Sequence, residues 1–88
     1  MIVISRSGDL GPADALELRH ELDDATRRND PNVMLDLRAV DSLHPAVVAA
    51  IVRAARRARQ AAGGLELRRP TSPDASRMLG LVAIDQLI

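Results

Sequence analysis

The chain has 88 residues, 47% of them hydrophobic, with 12 basic and 12 acidic side chains and no cysteine, phenylalanine, tyrosine or tryptophan. This size and apolar content fit one globular domain, residues 1–88, and exclude a disordered chain; the missing cysteines exclude disulfides and thiolate metal sites. Zero net charge and the lack of aromatic rings argue against bulk nucleic-acid affinity and against stacking on bases or sugars.

The charge is uneven. Residues 1–52 hold nine acids and five arginines, and residues 53–88 hold seven arginines and three acids. No apolar run approaches the ~18 residues of a membrane span, and Met1–Ile4 is followed at once by Ser5 and Arg6, unlike a signal peptide. The expectation is a cytoplasmic protein with no membrane insertion.

In chain order, Ile2-Val3-Ile4 is β-branched and reads as a strand. Ser7-Gly8-Asp9-Leu10-Gly11 is turn chemistry, and Pro12 suits the first position of a helix, where its missing N–H costs nothing. Ala15, Leu18, Leu22 and Ala25 then recur at spacings of three and four, which predicts a helix from Pro12 to about Arg28. Asn29-Asp30-Pro31-Asn32 breaks it. Val33–Leu37 is apolar on both faces apart from Asp36, so it is expected to be a central strand with Asp36 near its C-terminal end. Arg38–His44 reads as a crossover loop. Pro45 starts a second helix running to about Ala62, with Val47, Ile51, Ala54, Ala58 and Ala61 as its apolar row. Val48, Val52 and Ala55 widen that row; Arg53, Arg56, Arg57 and Gln60 lie opposite, and Gly63-Gly64 reads as the C-cap. Leu65–Arg68 alternates as a third strand. Ser72-Pro73 opens a short helix ending at Leu79-Gly80, and Leu81–Ile88 is an apolar tail. Strands alternating with helices imply an α/β domain, a small, mainly parallel or mixed β-sheet packed with three to four helices.

The stretch Asp41-Ser42-Leu43-His44-Pro45 feeds the second helix, and a helix N-terminus with free backbone N–H groups can hold an anion. Asp41, Ser42 and His44 supply the residue types of a hydrolase triad. Triad members must converge in a set geometry, however, and no nucleophile elbow is present, so no catalytic residue is assigned. His44 is read instead as an N-cap or a hydrogen-bonding loop residue, and His20 as an exposed helix residue. Two distant histidines lack metal-ligand spacing, so no metal or cofactor is expected. The arginine row of the second helix reads as a solvated face, and Asp36 as a hydrogen-bonded structural acid.

Several segments, in one register, resemble the STAS domain, the family of anti-sigma factor antagonists. Ser7-Gly8-Asp9-Leu10 is similar to its G-[DE]-L-D turn, with Gly11 in place of the final Asp. Val33–Leu37 is similar to its "v-v-L-D-L" strand, Val47–Gly64 to its alanine- and arginine-bearing helix with a closing Gly-Gly, and Met78–Asp85 to its closing "l-…-GL-…-i" segment. The family's extra N-terminal strand has no counterpart before the Gly-Asp-Leu turn. Members carry D-S-[ST]-G between strand and helix, the second hydroxyl being the phosphoacceptor. Ungapped matching from Leu35 sets His44-Pro45-Ala46-Val47 on those positions, with Ala46 as the acceptor. The alternative register, which would make Ser42 the phosphorylated residue, needs a three-residue deletion.

The resemblance implies a non-enzymatic module of transcription regulation. Such a module binds an anti-sigma factor or anti-sigma kinase when unmodified and is released by phosphorylation. Asp9, Asp41, Ser42, His44, Ala46 and Val47 are the partner-binding residues it points to. With alanine at the acceptor position the domain would be non-phosphorylatable, hence a constitutive binder. A homodimer is compatible with the resemblance. So is a structural role in a larger assembly, as a stressosome-like scaffold or a transporter accessory domain.

Overall fold

The computed structural model describes residues 1–27, 32–60, 64–82 and 84. The elements are β1 (Ile2–Leu10), α1 (Pro12–Thr26), β2 (Asn32–Leu43), α2 (Pro45–Gln60), β3 (Gly64–Arg68) and α3 (Pro73–Leu81). The three strands pair in parallel in the order β1-β2-β3, so β2 is central, as its apolar sequence predicts. The α/β class and the three helices follow the same expectation.

Periodicity in α1 places its core face correctly: Ala15, Leu18, Leu22 and Ala25 are all buried. Gly11 caps this helix, donating its N–H to the Asp14 carboxylate at 2.7 Å, half of the reciprocal pattern that a capping box provides. In α2, Val47, Val48, Ile51, Ala54, Ala55 and Ala58 are buried, against the sheet face formed by Ile4, Leu10, Val33, Leu35, Leu37, Val40, Leu43 and Leu65. Ala61, Ala62 and Gly63 lie outside the described residues, and Gly64 opens β3. Ser72 caps α3 with Pro73 at its first position, as expected, and the helix runs to Leu81, one residue past the expected end at Leu79-Gly80. Of the tail, Ile84 is buried in the core, and 83 and 85–88 lie outside the described residues.

Two strands are longer than the residues alone suggest. Ser7–Leu10 is not a turn but the second half of β1, and Arg38–Leu43 is not a loop but the second half of β2. The ladder explains both. Ser5 pairs with Asp36 but Ser7 with Ala39, and Gly8 pairs with Val40 but Asp9 with Ser42. β2 therefore carries one extra residue in each interval, a pair of β-bulges. Each bulge resets the in-out alternation, so the buried residues of β2 run 33, 35, 37, 40, 43 and the period of two is lost after Leu37. Gly8 sits at the second register shift with φ of +74°, a conformation that explains why the segment resembles a turn. Asp36 consequently lies within β2, well before its end.

Candidate functional site

The C-terminal edge of the sheet gathers the ends of β1 and β2, the start of α2 and the connection into α3. The second bulge of β2 brings Ser42 opposite Asp9, and the Ser42 hydroxyl donates to Asp9 Oδ1 at 2.7 Å. One residue on, the strand ladder is closed by the His44 N–H, which donates to the Leu10 carbonyl at 2.9 Å. His44 is the N-cap of α2, as one of its two sequence readings holds. Its Nδ1 accepts from the Ala46 N–H at 3.0 Å, and its carbonyl accepts from Val47 and Val48 at 2.9 and 3.2 Å. Pro45 has no N–H. Every donor of the first turn is thus absent or used, and the expected anion-holding helix start is not present.

Asp9, Asp41, His44 and Ala46 are exposed and Ser42 is half-buried, so five of the six sequence-predicted site residues share one accessible edge. Val47 is the exception. Its side chain is fully buried in the core, because α2 turns its apolar row onto the sheet from its third residue onward; Val47 is therefore corrected from surface to core.

Two further residues belong to this edge. Thr71 Oγ1 donates to the Arg38 carbonyl at 3.3 Å, and Ser72 Oγ donates to the Asp41 carbonyl at 2.6 Å. Arg38 and Asp41 fall in the two bulged intervals of β2, beyond the last residue paired with β3, where the ladder leaves carbonyls without a strand partner. The two hydroxyls fill that role. Sequence reasoning assigned Ser72 to capping α3, yet its backbone takes the cap conformation while its hydroxyl is spent on β2. The signal was the Thr-Ser pair itself: one hydroxyl suffices for a cap.

Asp36 lies outside this edge. Arg38 grips it with Nε to Oδ1 at 3.1 Å, Nη2 to Oδ2 at 2.9 Å and its own N–H to Oδ1 at 3.1 Å. Those hydrogen bonds from the Arg38 side chain and backbone hold the Asp36 carboxyl below its usual range. The hydrogen-bonded structural acid expected from the sequence is what the structure contains. The arginine row of α2 is less simple than a solvated face: Arg57 and Arg53 reach Asp23 of α1 at 3.0 and 3.6 Å.

Asp41, Ser42 and His44 are not arranged as a triad. The proton that a relay would pass from Ser42 to His44 is donated to Asp9 instead, and the His44 Nδ1 lone pair is taken by α2. Among the described residues, no cluster of three or more His, Asp or Glu side chains is placed to hold a metal ion, and no helix is long and apolar enough to cross a membrane.

The family model described as "Mlab, STAS domain" matches residues 1–88. No curated protein matches the chain. The family match covers residues 1–88, and the parallel β-α-β-α-β-α order of the fold agrees with it: the chain belongs to the STAS domain family.

Proposed function

We propose that this STAS-type interaction module binds a regulatory protein of the anti-sigma factor or anti-sigma kinase kind through Asp9, Asp41, Ser42, His44 and Ala46. It does so constitutively, without a phosphorylation switch, as a non-enzymatic component of partner-switching transcription control in the cytoplasm. The observation that carries this reading is the start of α2. Aspartate is among the best N-cap residues, and the ungapped family register sets the motif's aspartate on His44, which performs that capping role here. Ala46 then occupies the acceptor position at the second residue of the helix, exposed and without a hydroxyl. Ser42 is a poor substitute. Its hydroxyl already donates to a carboxylate, and a phosphate there would add roughly two negative charges beside Asp9.

The test is a binding titration against purified anti-sigma kinases, with Asp41→Arg and Ala46→Gln as variants at exposed positions. At least tenfold weaker binding of both, with unchanged folding, is expected. Incubation with kinase and ATP should leave the intact mass unaltered. A phosphate on Ser42, or a kinase bound equally by all three forms, removes the reading.

The same missing hydroxyl favours a second reading, a permanent structural subunit of a larger assembly such as a stressosome-like scaffold or a transporter accessory domain. Light scattering behind size-exclusion chromatography separates the two. A monomer, a homodimer or a one-to-one complex with the kinase fits the first; stable high-order co-assembly fits the second.

A further inference from the structure

We propose that the groove between α1 and α2 is a docking site for an acidic amphipathic helix of the partner. The inference rests on the interaction-module reading and names the partner's contacting element. Both helices follow parallel strands in one direction, so they lie side by side with their N-termini at the Ser42–His44 edge. Between them runs an open groove of about 320 Å³. Pro12, Leu16 and Arg19 line one wall, and Ala46, Ala49 and Arg53 line the other. The groove starts at Ala46, within the proposed partner edge, and continues away from it along both helices.

Three features define the occupant. Leu16 stands 59% exposed on the groove wall, a large apolar side chain that nothing in the described chain covers. Facing it, Ala46, Ala49 and Arg53 recur at spacings of three and four, and the small pair lets a third helix approach closely. At the far end the groove is cationic. Arg19 has no ion-pair partner among the described residues, while Arg53 only shares Asp23, at 3.6 Å, with the closer Arg57 at 3.0 Å. None of the groove's lining residues is acidic; on α1, Asp14 caps the helix, Glu21 pairs with Arg6 at 2.6 Å, and Asp23 is taken by Arg57 and Arg53. The complement is a helix with aliphatic anchors at i and i+3 or i+4 and a carboxylate one turn further on, in the helix-in-groove mode.

Panning a display library of helical peptides on the purified chain tests this. Enriched peptides should combine Leu, Ile or Met anchors with Asp or Glu, and should shift the amide resonances of Ala15, Leu16, Ala46 and Ala49. Ala49→Glu and Arg19→Glu, both at exposed helix positions, should each weaken binding at least tenfold, whereas Arg77→Glu, the same charge change on the exposed face of α3, should leave it unchanged. Enrichment of basic or non-amphipathic peptides overturns the inference, as does the absence of any enrichment. Peptides released by Asp41→Arg but not by Ala49→Glu would keep the edge as the partner surface and remove the groove. Sedimentation with phosphatidylglycerol vesicles that Arg19→Glu abolishes would assign the cationic end to a membrane and equally overturn the inference.

Discussion

The Ser42 hydroxyl and the Asp9 carboxylate form a hydrogen bond of 2.7 Å across the β1–β2 ladder, joining side chains 33 residues apart in the chain. Because a carboxylate accepts only, the serine must donate. A negative charge at position 42 should therefore act first on the domain itself. Ser42→Glu is expected to lower stability by about 1 kcal/mol through like-charge opposition on neighbouring strands. Adding Asp9→Asn should recover most of that loss. A double-mutant cycle by urea unfolding with Asp9→Asn and Ser42→Ala should give a coupling of about 0.5–1 kcal/mol.

His44 caps α2 with a ring nitrogen, and the first turn of that helix contains no acidic residue. His44→Ala should cost about 1 kcal/mol, while His44→Asp, which adds a favourable charge at the positive end of the helix, should be at least as stable as the natural chain. Thermal unfolding of the three proteins side by side checks the order. If alanine matches aspartate, the ring does not act as a cap.

Val47 marks the boundary between surface and core in α2. Burying a carboxylate there leaves it without a partner, so Val47→Asp should destabilise the fold by about 3–5 kcal/mol. Loss of partner binding by that variant would then report unfolding. Circular dichroism of the variant, free of any partner, decides the matter: a native-like spectrum and melting curve would contradict the burial.

Asp36 gives a pH dependence with a definite sign. Its folded-state pKa lies below the ordinary 3.8, chiefly because Arg38 hydrogen-bonds the ionised form. The Asp36–Arg38 contact thus contributes fully above that ordinary value and is lost as pH falls through the lower folded one. Asp36→Asn should flatten the acid limb of the stability curve below about pH 3.8 and leave its shape at higher pH unaltered. An acid limb of unchanged slope would show that the contact does not form in solution.

Gly8 adopts φ of +74° although a Cβ there would meet no atom within 4 Å. Space and backbone conformation make opposite predictions for Gly8→Ala, and the backbone should win. The expected cost is roughly 1–2 kcal/mol by denaturant unfolding, set by the left-handed geometry and not by a clash. A neutral substitution would mean that the strand relaxes to negative φ.

Elements built on an unbroken period were legible in the sequence. The core faces of α1 and α2 lie where Ala15, Leu18 and Leu22 and Val47, Ile51 and Ala54 place them, and β2 is central because Val33–Leu37 is apolar on both faces. The ends of β1 and β2 were not legible. Ser5, Arg6 and Ser7 are polar on both sides because one side meets solvent and Arg6 pairs with Glu21 on the other. In β2 the bulges interrupt the alternation on which strand reading depends. The candidate site was legible as a set of positions around the start of α2. Its internal bonds were not, because the Asp9–Ser42 contact depends on a register that no local pattern encodes, and the roles of Thr71 and Ser72 depend on carbonyls that a bulge exposes.

The two extra residues of β2 also fix what can be trimmed from this strand. Counted straight from the Ser5–Asp36 pair, Asp9 would stand beside Val40, a buried residue, instead of Ser42. Deleting Arg38 and Asp41, one residue from each bulged interval, would straighten the ladder and still leave Asp9 beside Ser42 and Leu10 beside Leu43. The serine–aspartate link and the hold of the α2 cap on the Leu10 carbonyl would survive, whereas the carbonyls that receive the Thr71 and Ser72 hydroxyls would be gone. A shortened strand could keep its hydrophobic half intact and still present a different edge to any partner.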